Sequence, residues 1–280
     1  MLEEVIIFLI IGIVQGCLEW LPVSSQAFLF IILIMFGVNP MEAFLITIVL
    51  HLGTALSSLI YYRKEYINMI TNFYSDPSAK RVFTFYVIGI ITTGVVVLPI
   101  YLVYKKLLES LGHLIFIGAL LILLLIGLAM LLVGFFMRLA QKSLGQRKKD
   151  EINYKDAFLF GAFQALAIIP GVSRSGITIS VLLARKIDKK VAVDLSFSVA
   201  PFVIIGGIFF DFLVLEKGNI DLLLSPNLIA AGISTFVTSF LTIKYFTKLV
   251  ERINFSTFLI VMGSLLLVLN GLAVAFNFSF

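Results

Sequence analysis

An arginine with hydroxyl side chains on both sides lies inside a long apolar stretch of this chain. Residues 170–178 read Pro-Gly-Val-Ser-Arg-Ser-Gly-Ile-Thr, so Arg174 has Ser173, Ser175 and Thr178 as neighbours. A guanidinium at bilayer depth costs several kcal/mol, and it is retained where it faces a protein cavity and a partner. Arginine and hydroxyl donors are groups with which proteins hold phosphate. The segment therefore predicts a phosphate-binding site.

Proline and glycine divide the apolar stretch 157–184 near its middle. We expect the first half-helix to end at Pro170, because proline removes a backbone donor and disfavours helical geometry just before it. Gly171 and Gly176 allow the turn, and the second half-helix is predicted to begin between Ser173 and Gly176. The N–H groups of its first turn and its positive dipole end would contribute to binding the same phosphate.

A second apolar stretch, 5–36, has the complementary groups. Glu19 is the only acidic residue in it, and a carboxylate there is costly unless it is paired or coordinates a cation. Gln15 lies four residues earlier and therefore on the same helical face. Ser24 and Ser25 follow a proline, where a second half-helix is predicted to begin. They serve either as phosphate donors or only as helix caps.

These groups suit phosphoryl transfer if the two stretches meet. Arginine and hydroxyl donors would stabilise the phosphate oxygens, and the carboxylate would activate a nucleophile or hold a metal ion. The structural alternative is that Arg174 pairs with Glu19 only to hold the two stretches together. His51 lies within another apolar segment and is either a buried structural side chain or a proton-transfer group. The sequence has no zinc-ligand spacing, P-loop or dinucleotide-binding glycine pattern.

The composition places these residues in a membrane. Of the 280 residues, 60% are hydrophobic and 13% are charged, whereas soluble domains carry about 25% charged residues. The mean hydropathy is +1.10. Apolar segments long enough to cross a bilayer as helices predict an all-α integral membrane protein. The net charge is +5, but the basic residues lie in short loops between these segments, as they do in other multispanning membrane proteins. We therefore exclude nucleic acid as a partner. The predicted spans are 43–62, 84–104, 114–136, 191–215, 227–247 and 255–278.

The distribution of basic residues predicts how the chain crosses the membrane. If both interrupted stretches are re-entrant hairpins, seventeen basic loop residues face one side and three face the other. If 157–184 instead crosses the membrane once, the split is eleven against nine. Because basic loops stay in the cytoplasm, the first arrangement is favoured. It predicts six transmembrane helices, two re-entrant helical hairpins that enter from opposite sides, and both termini outside.

The chain also contains two related segments. Residues 12–16 (Gly-Ile-Val-Gln-Gly), followed by Leu-Pro-Val-Ser-Ser, resemble residues 161–165 (Gly-Ala-Phe-Gln-Ala), followed by Ile-Pro-Gly-Val-Ser-Arg-Ser. Each copy leads into three predicted spans, so the second copy is inverted relative to the first. Inverted-topology repeats with broken helices form the binding site in many transporter folds. The single membrane domain 1–280 therefore divides into repeat one (about 1–136), a basic cytoplasmic linker (about 137–156) and repeat two (about 157–280).

Three motifs resemble the undecaprenyl-diphosphate phosphatase, or bacitracin-resistance, family. They are residues 15–25 (QGCLEWLPVSS), 51–54 (HLGT) and 164–178 (QALAIIPGVSRSGIT), followed by Leu-Ser-Phe at 195–197. Their order and spacing and the overall length agree across the whole chain. The resemblance implies removal of one phosphate from a polyprenyl diphosphate.

The resemblance also implies roles for individual residues. The expected catalytic residues are Glu19, Ser25 and Arg174. Members of this family are described as assisted by a divalent cation, magnesium or calcium, which Glu19 would hold. His51 is the further candidate for proton transfer. The expected phosphate-binding residues are Gln15, Ser24, Ser173, Arg174, Ser175, Gly176 and Thr178.

One position departs from the family pattern. Family members usually continue Ser-Ser-x-Gly-His, whereas residues 24–28 here read Ser-Ser-Gln-Ala-Phe, so Phe28 occupies the histidine position. Proton transfer then falls to Glu19, or to His51 if it reaches the site; otherwise the protein handles lipid phosphates without hydrolysing them. The leading hypothesis is a plasma-membrane phosphatase that recycles a glycan carrier lipid. The alternative is a polyprenyl-phosphate transporter or flippase on the same fold. The isoprenoid length stays open, as does assembly as a homodimer.

Overall fold

The computed structural model describes residues 2–111, 115–141, 145–169, 171–214 and 225–276. Within these ranges the chain forms eleven α-helices and no β-strand, as expected for an all-α protein. The helices are α1 (Leu2–Leu18), α2 (Ser25–Met35), α3 (Pro40–Tyr61), α4 (Arg63–Thr71), α5 (Pro77–Leu111), α6 (Ile115–Gln141), α7 (Tyr154–Gln164), α8 (Arg174–Ala184), α9 (Lys189–Val214), α10 (Pro226–Arg252) and α11 (Ser256–Ala275).

Among the described residues, five helices are long and apolar enough to cross a membrane, which makes the chain a multi-pass membrane protein. These spans are Pro77–Val103, Leu123–Gln141, Lys189–Phe210, Pro226–Arg252 and Ser256–Ala275. A sixth forms if α3 and α4 count together, although the chain bends by 57° between them. Over the described residues, each of the six predicted spans falls on one of these helices.

Both interrupted stretches contain a break where proline and glycine predict one. In the first stretch α1 ends at Leu18 and α2 begins at Ser25. In the second, α8 begins at Arg174, within the predicted interval. Gly171 has a φ of 93°, which is a backbone conformation that favours glycine. A Cβ there would also lie 2.6 Å from the Cα of Ile126, so the turn needs glycine for two reasons.

The first half of the second stretch ends earlier than predicted. The α-helix α7 stops at Gln164, and a 3₁₀ turn over Ala165–Ile168 follows it. The expectation that the half-helix ends at Pro170 concerns a residue that lies outside the described part of the chain. The tighter 3₁₀ geometry explains how the backbone leaves the helix before the proline.

The two ends of the second stretch lie together. The backbone N–H of Arg147 donates to the Lys186 carbonyl at 3.0 Å, and the N–H of Asp188 donates to the Arg147 carbonyl at 2.9 Å. Arg147 precedes α7, whereas Lys186 and Asp188 follow α8. The segments that precede α7 and follow α8 are therefore hydrogen-bonded to each other, and the predicted re-entrant path between them stays a prediction.

A buried carboxylate reinforces this junction. Asp156 is fully buried, and its two oxygens accept from Arg147 Nη2 at 2.6 Å and from Arg185 Nε at 2.8 Å. Burial alone raises the pKa of Asp156, but the hydrogen bonds from Arg147, Arg185 and the Asn153 backbone outweigh it and hold the pKa below its usual value. The charge count treats both arginines as loop residues, whereas the structure uses them to neutralise a buried acid.

The helices pack into two compact units that do not coincide with the two sequence repeats. The first unit comprises Met1–Leu21, Ser25–Lys80 and Val193–Arg252. The second comprises Pro22–Ser24, Arg81–Ala192 and Ile253–Phe280. Each unit thus combines helices from both predicted repeats. The division into repeats is a statement about the sequence and stays a prediction.

In the first unit, glycines allow α1 to lie directly against α10. A Cβ at Gly12 would lie 2.3 Å from the carbonyl oxygen of Ala231, and one at Gly16 would lie 2.8 Å from the amide nitrogen of Ser239. These glycines are one helical turn apart, so a single face of α1 is flat. Small residues at helix contacts are typical of membrane proteins, in which close backbone packing drives association.

In the second unit, a glycine likewise allows α7 to lie directly against α5. A Cβ at Gly161 of α7 would lie 2.3 Å from the carbonyl oxygen of Gly89 in α5. The Thr93 hydroxyl lies at this contact, 2.8 Å from the Gly89 carbonyl oxygen and 3.2 Å from that of Gly161, so its one proton can be donated to either. Gly161 aligns with Gly12 in the two related sequence segments, and a Cβ at either glycine would lie 2.3 Å from a carbonyl oxygen of the neighbouring helix.

Candidate active site

Three side chains converge on one carboxylate oxygen of Glu19 in the first unit. Gln15 Nε2 donates to Glu19 Oε2 at 3.1 Å, and Ser25 Oγ donates to it at 2.9 Å. His51 Nε2 lies 3.3 Å from the same oxygen. Glu19 is only 6% exposed, so these contacts replace water around the carboxylate. The structure therefore brings together four of the residues that the sequence singles out.

Local structure explains why these residues meet. The Glu19 amide donates to the Gln15 carbonyl at 3.1 Å, so the helical turn continues past the end of α1 and keeps both side chains on one face. Ser25 is the first residue of α2, where the chain resumes its helical path after the break. His51 comes from the middle of α3. One carboxylate thus joins three helices.

The two ring nitrogens of His51 contact different acceptors. The ring nitrogen Nδ1 contacts the Thr47 carbonyl, which can only accept, so Nδ1 carries a hydrogen. Nε2 then faces a carboxylate oxygen, and that contact is favourable only when a proton lies between the two atoms. The 3.3 Å separation therefore allows a proton to pass between His51 and Glu19. This geometry fits the proton-transfer role that the sequence leaves open for His51.

Gln15 has an unsatisfied acceptor beside this carboxylate. Its Oε1 is buried and has no hydrogen-bond partner among the described residues. A buried acceptor of this kind calls for a water, a donor or a cation. The described residues contain no group of three or more His, Cys, Asp or Glu side chains that could hold a metal ion. Glu19 and Gln15 are the residues of this site with oxygen atoms that could ligate a divalent cation, and its remaining ligands would have to come from phosphate and water.

The hydroxyl groups around Arg174 belong to the second unit, and most bond to the backbone. Ser173 caps α8 by accepting from the Gly176 N–H at 3.1 Å, and it donates to the Val23 carbonyl at 3.2 Å. Ser173 Oγ and Ser175 Oγ lie 3.4 Å apart. One N–H of the predicted phosphate cradle is thus already used by the cap.

Thr178 and Ser24 complete the set in this unit. The Thr178 hydroxyl donates to the Arg174 carbonyl at 2.8 Å, so its proton is directed at the helix backbone rather than at a ligand. Ser24 is buried in the short segment Pro22–Ser24, which belongs to the same unit as α8. Arg174 is half-buried at the first position of α8. That Glu19 and Arg174 act on one substrate stays a prediction.

Two polar contacts of the segments that carry the site have no signal in the local sequence motifs. Trp20 donates from Nε1 to the Ser239 hydroxyl at 3.0 Å. Gln164 donates to the Thr93 hydroxyl at 2.9 Å, and its Oε1 is buried without a partner among the described residues. Gln164 is the repeat counterpart of Gln15, and that equivalence is the signal that could have identified it.

Comparison with known proteins agrees with these observations. The chain is 34% identical over 250 residues to undecaprenyl-diphosphatase 4 of Bacillus cereus, covering 89% of this chain and 90% of that protein. It is 31% identical over 265 residues to an undecaprenyl-diphosphatase of Methanothrix thermoacetophila, covering 94% and 96%. A relative of the same name from Pyrobaculum aerophilum is 31% identical and covers 84% of the chain. The family model of the bacitracin resistance protein BacA matches residues 8–267, and the chain belongs to that family.

Proposed function

We propose that this protein is a membrane phosphatase that hydrolyses a polyprenyl diphosphate of the undecaprenyl type. The products are the polyprenyl monophosphate and inorganic phosphate, and the reaction recycles a glycan carrier lipid. Membership of the BacA family and relatives named undecaprenyl-diphosphatase support this function. The main structural support for this function is the convergence of Ser25, His51 and Gln15 on one oxygen of Glu19.

Glu19 and His51 provide the proton transfers in this proposal. Hydrolysis of the terminal phosphoanhydride needs a base for the attacking oxygen and an acid for the leaving monophosphate. Ser25 is placed to pass its hydroxyl proton to Glu19 if it attacks phosphorus, with water releasing the phosphate in a second step. In the alternative route Ser25 binds phosphate and Glu19 activates water directly. In both routes the proton held between His51 and Glu19 goes to the leaving oxygen.

The groups at the start of α8 bind the diphosphate in this proposal. Arg174 offers a bidentate donor to phosphate oxygens, and the first turn of α8 adds its positive dipole end. Within the second unit, the Ser173 hydroxyl donates to the Val23 carbonyl next to Ser24, another phosphate-binding candidate. The remaining phosphate-binding candidates are Gln15, Ser24, Ser173, Ser175, Gly176 and Thr178.

A divalent cation belongs to this proposal as an accessory. Magnesium or calcium would neutralise charge on the diphosphate when bound. Glu19 and Gln15 Oε1 are the protein oxygens suited to hold it, and magnesium typically binds through one or two carboxylates together with substrate phosphates. Removal of the cation with a chelator is expected to slow phosphate release, and addition of magnesium or calcium is expected to restore it.

The proposed topology has six transmembrane helices and two re-entrant hairpins in an inverted repeat within the plasma membrane. The basic loops lie in the cytoplasm, both termini lie outside, and two copies form a homodimer. The paired ends of 157–184 support a hairpin there, and the matching glycine contacts of α1 and α7 support the repeat. Crosslinking of the protein in its native membrane tests the dimer.

Phosphate release from farnesyl or undecaprenyl diphosphate tests the function directly. The purified protein, with magnesium or calcium present, is expected to release one phosphate per lipid and stop at the monophosphate. Glu19→Gln should lower the rate of release by at least about 100-fold. If the wild type releases no phosphate but moves labelled polyprenyl phosphate across vesicle bilayers, and Glu19→Gln does so too, the protein is a transporter instead.

A further inference from the structure

Trp20, the residue after Glu19, is held in one orientation by three contacts. It is the only tryptophan in the chain and its side chain is fully buried. Its Nε1 donates to the Ser239 hydroxyl at 3.0 Å and approaches the Ser239 carbonyl at 3.3 Å. Its ring packs against Phe197 with the centroids 5.2 Å apart. A ring so constrained also restricts the backbone of the adjacent Glu19.

The Ser239 hydroxyl continues this contact to α3. Ser57 Oγ lies in hydrogen-bond contact with Ser239 Oγ and donates its own proton to the Thr54 carbonyl at 2.8 Å. Because each hydroxyl has a single proton, Ser239 donates to Ser57 and accepts from Trp20. The result is a directed chain from the indole N–H through two hydroxyls to a backbone carbonyl. Every donor in it has an acceptor.

This series of hydrogen bonds ends at Thr54, which lies near the histidine of the site. The Thr54 hydroxyl donates to the His51 carbonyl at 2.8 Å, one turn along the same helix. Trp20 is the neighbour of Glu19, and Ser57 lies on the helix that carries His51. Ser239 is therefore the point at which the Glu19 segment and the His51 helix are both bonded to α10.

Close packing limits how far this junction can relax. A Cβ at Gly16 would lie 2.8 Å from the Ser239 amide nitrogen, so the backbones of α1 and α10 are already in contact there. The Thr242 hydroxyl adds a bond to the Gly16 carbonyl at 3.3 Å. Ser239 is fully buried, and the loss of its hydroxyl would leave buried partners without their hydrogen bonds.

We propose that Ser239 is a positioning residue for the reaction, acting through Trp20 and Ser57 to hold Glu19 at His51. Its kinetic consequence rests on the proposed phosphatase function, whereas the hydrogen-bond chain does not. Ser239 does not touch Glu19, so the expected defect is in turnover rather than in lipid binding. A residue that merely stabilises the fold would not separate kcat from KM.

Two variants test this role kinetically. Ser239→Ala and Trp20→Phe are each expected to lower kcat for farnesyl diphosphate about fivefold to tenfold, the effect of one hydrogen bond, with KM unchanged. The double variant should be no slower than the slower single variant, because both act through one contact. In a His51→Gln background, Ser239→Ala should cause no further loss of kcat. Wild-type kcat in both single variants would overturn the proposal.

Ser234→Ala is the matched control. Ser234 lies on the same helix and donates to the Leu9 carbonyl of α1 at 2.9 Å, about one and a half turns from Ser239. Both substitutions remove one serine hydroxyl from the α1 and α10 contact. Ser234→Ala is expected to keep the wild-type kcat. Equal losses of kcat in Ser234→Ala and Ser239→Ala would show a general packing effect and contradict a positioning role.

Fluorescence provides a readout that needs no activity. Since Trp20 is the only tryptophan, the emission of the whole protein reports the environment of its indole N–H. Ser239→Ala should shift the emission maximum to shorter wavelength through loss of a hydrogen bond, and Ser234→Ala should not. A wild type that releases no phosphate would refute the proposed function and leave this test intact. An unchanged emission maximum in Ser239→Ala would refute the hydrogen-bond chain.

Discussion

Glu19 combines a negative charge with three neighbours on one oxygen, so its charge and its shape can be tested separately. Glu19→Gln keeps the side-chain volume but replaces the charged carboxylate, whose Oε2 contacts Ser25 and His51, with a neutral amide. We expect phosphate release to fall by at least about 100-fold, the usual contribution of a general base. Glu42→Gln, an exposed substitution on α3, is the control and should behave as the wild type.

In the proposed mechanism His51 supplies the proton transfer, because Phe28 occupies the position at which family members usually carry a histidine. His51→Gln retains a donor for Glu19 but cannot carry a proton, and we expect kcat to fall about 100-fold or more. Phe28→His in the wild-type background should change kcat little, because His51 already contacts Glu19. A large gain in kcat for Phe28→His, measured in the same phosphate assay, would contradict this assignment.

At the residue scale, local motifs predict the members of the site better than their contacts. Gln15 and Glu19 are four residues apart, so helical geometry alone places them together. The bond between Trp20 and Ser239 spans 219 residues, and no local pattern indicates it. The Thr178 hydroxyl is a plausible phosphate donor by type, yet a hydroxyl within a helix can also bond to the carbonyl four residues earlier.

At the element scale, the contact between α1 and α10 depends on the absence of side chains. Gly12→Ala would place a Cβ 2.3 Å from the Ala231 carbonyl oxygen, so the helices must separate. We expect a loss of about 1–3 kcal/mol of stability, seen as a lower Tm in detergent. Gly232→Ala on α10 is the matched control, because a Cβ there meets nothing within 4 Å. A lower Tm in both variants would indicate a backbone effect rather than a contact.

The ion pairs of Asp156 make the packing of α7 and α8 sensitive to acid. The folded-state pKa of this residue lies below the unfolded value, so its stabilisation is fully present above about pH 4. The stabilisation is lost as the pH falls through the folded-state pKa. Asp156→Asn should lower the free energy of unfolding at neutral pH by about 3 kcal/mol, since Arg147 and Arg185 lose the carboxylate with which they pair. The variant's Tm should also vary less with pH in the acid range than the Tm of the wild type. Asp150→Asn, which is exposed in the same linker, should leave the curve unchanged.

Helix breaks and helix ends differ in how far the sequence determines them. Proline and glycine predict the breaks in both stretches, and the starts of α2 and α8 lie where capping residues predict them. The end of α7 at Gln164 was not predicted, because Ala165–Ile168 are good helix formers and only tertiary packing favours a 3₁₀ turn there.

At the scale of the whole molecule, hydropathy predicts the elements but not their partners. Apolar length alone identifies the membrane-capable helices, because every span must satisfy its own backbone in lipid. The pairing of α1 with α10 and of α7 with α5 joins distant parts of the chain through glycine contacts. Nothing in a linear hydropathy pattern states which flat helix faces meet. The assignment of separate chain segments to each of the two compact units is therefore seen only in the structure.

The path of residues 157–184 determines on which side of the membrane every later loop lies. Labelling one cysteine before this stretch and one after it tests that path. In a Cys17→Ser background, Lys148→Cys and Lys190→Cys place exposed thiols before and after residues 157–184. If this stretch is re-entrant, both thiols face the cytoplasm and a membrane-impermeant maleimide labels neither in intact cells. Lys106→Cys, in a loop predicted to lie outside, is the positive control. A single crossing would instead put the thiols at positions 148 and 190 on opposite sides, so exactly one would react. The backbone bonds of Arg147 to Lys186 and Asp188 favour the first result, because they join the two ends of the stretch.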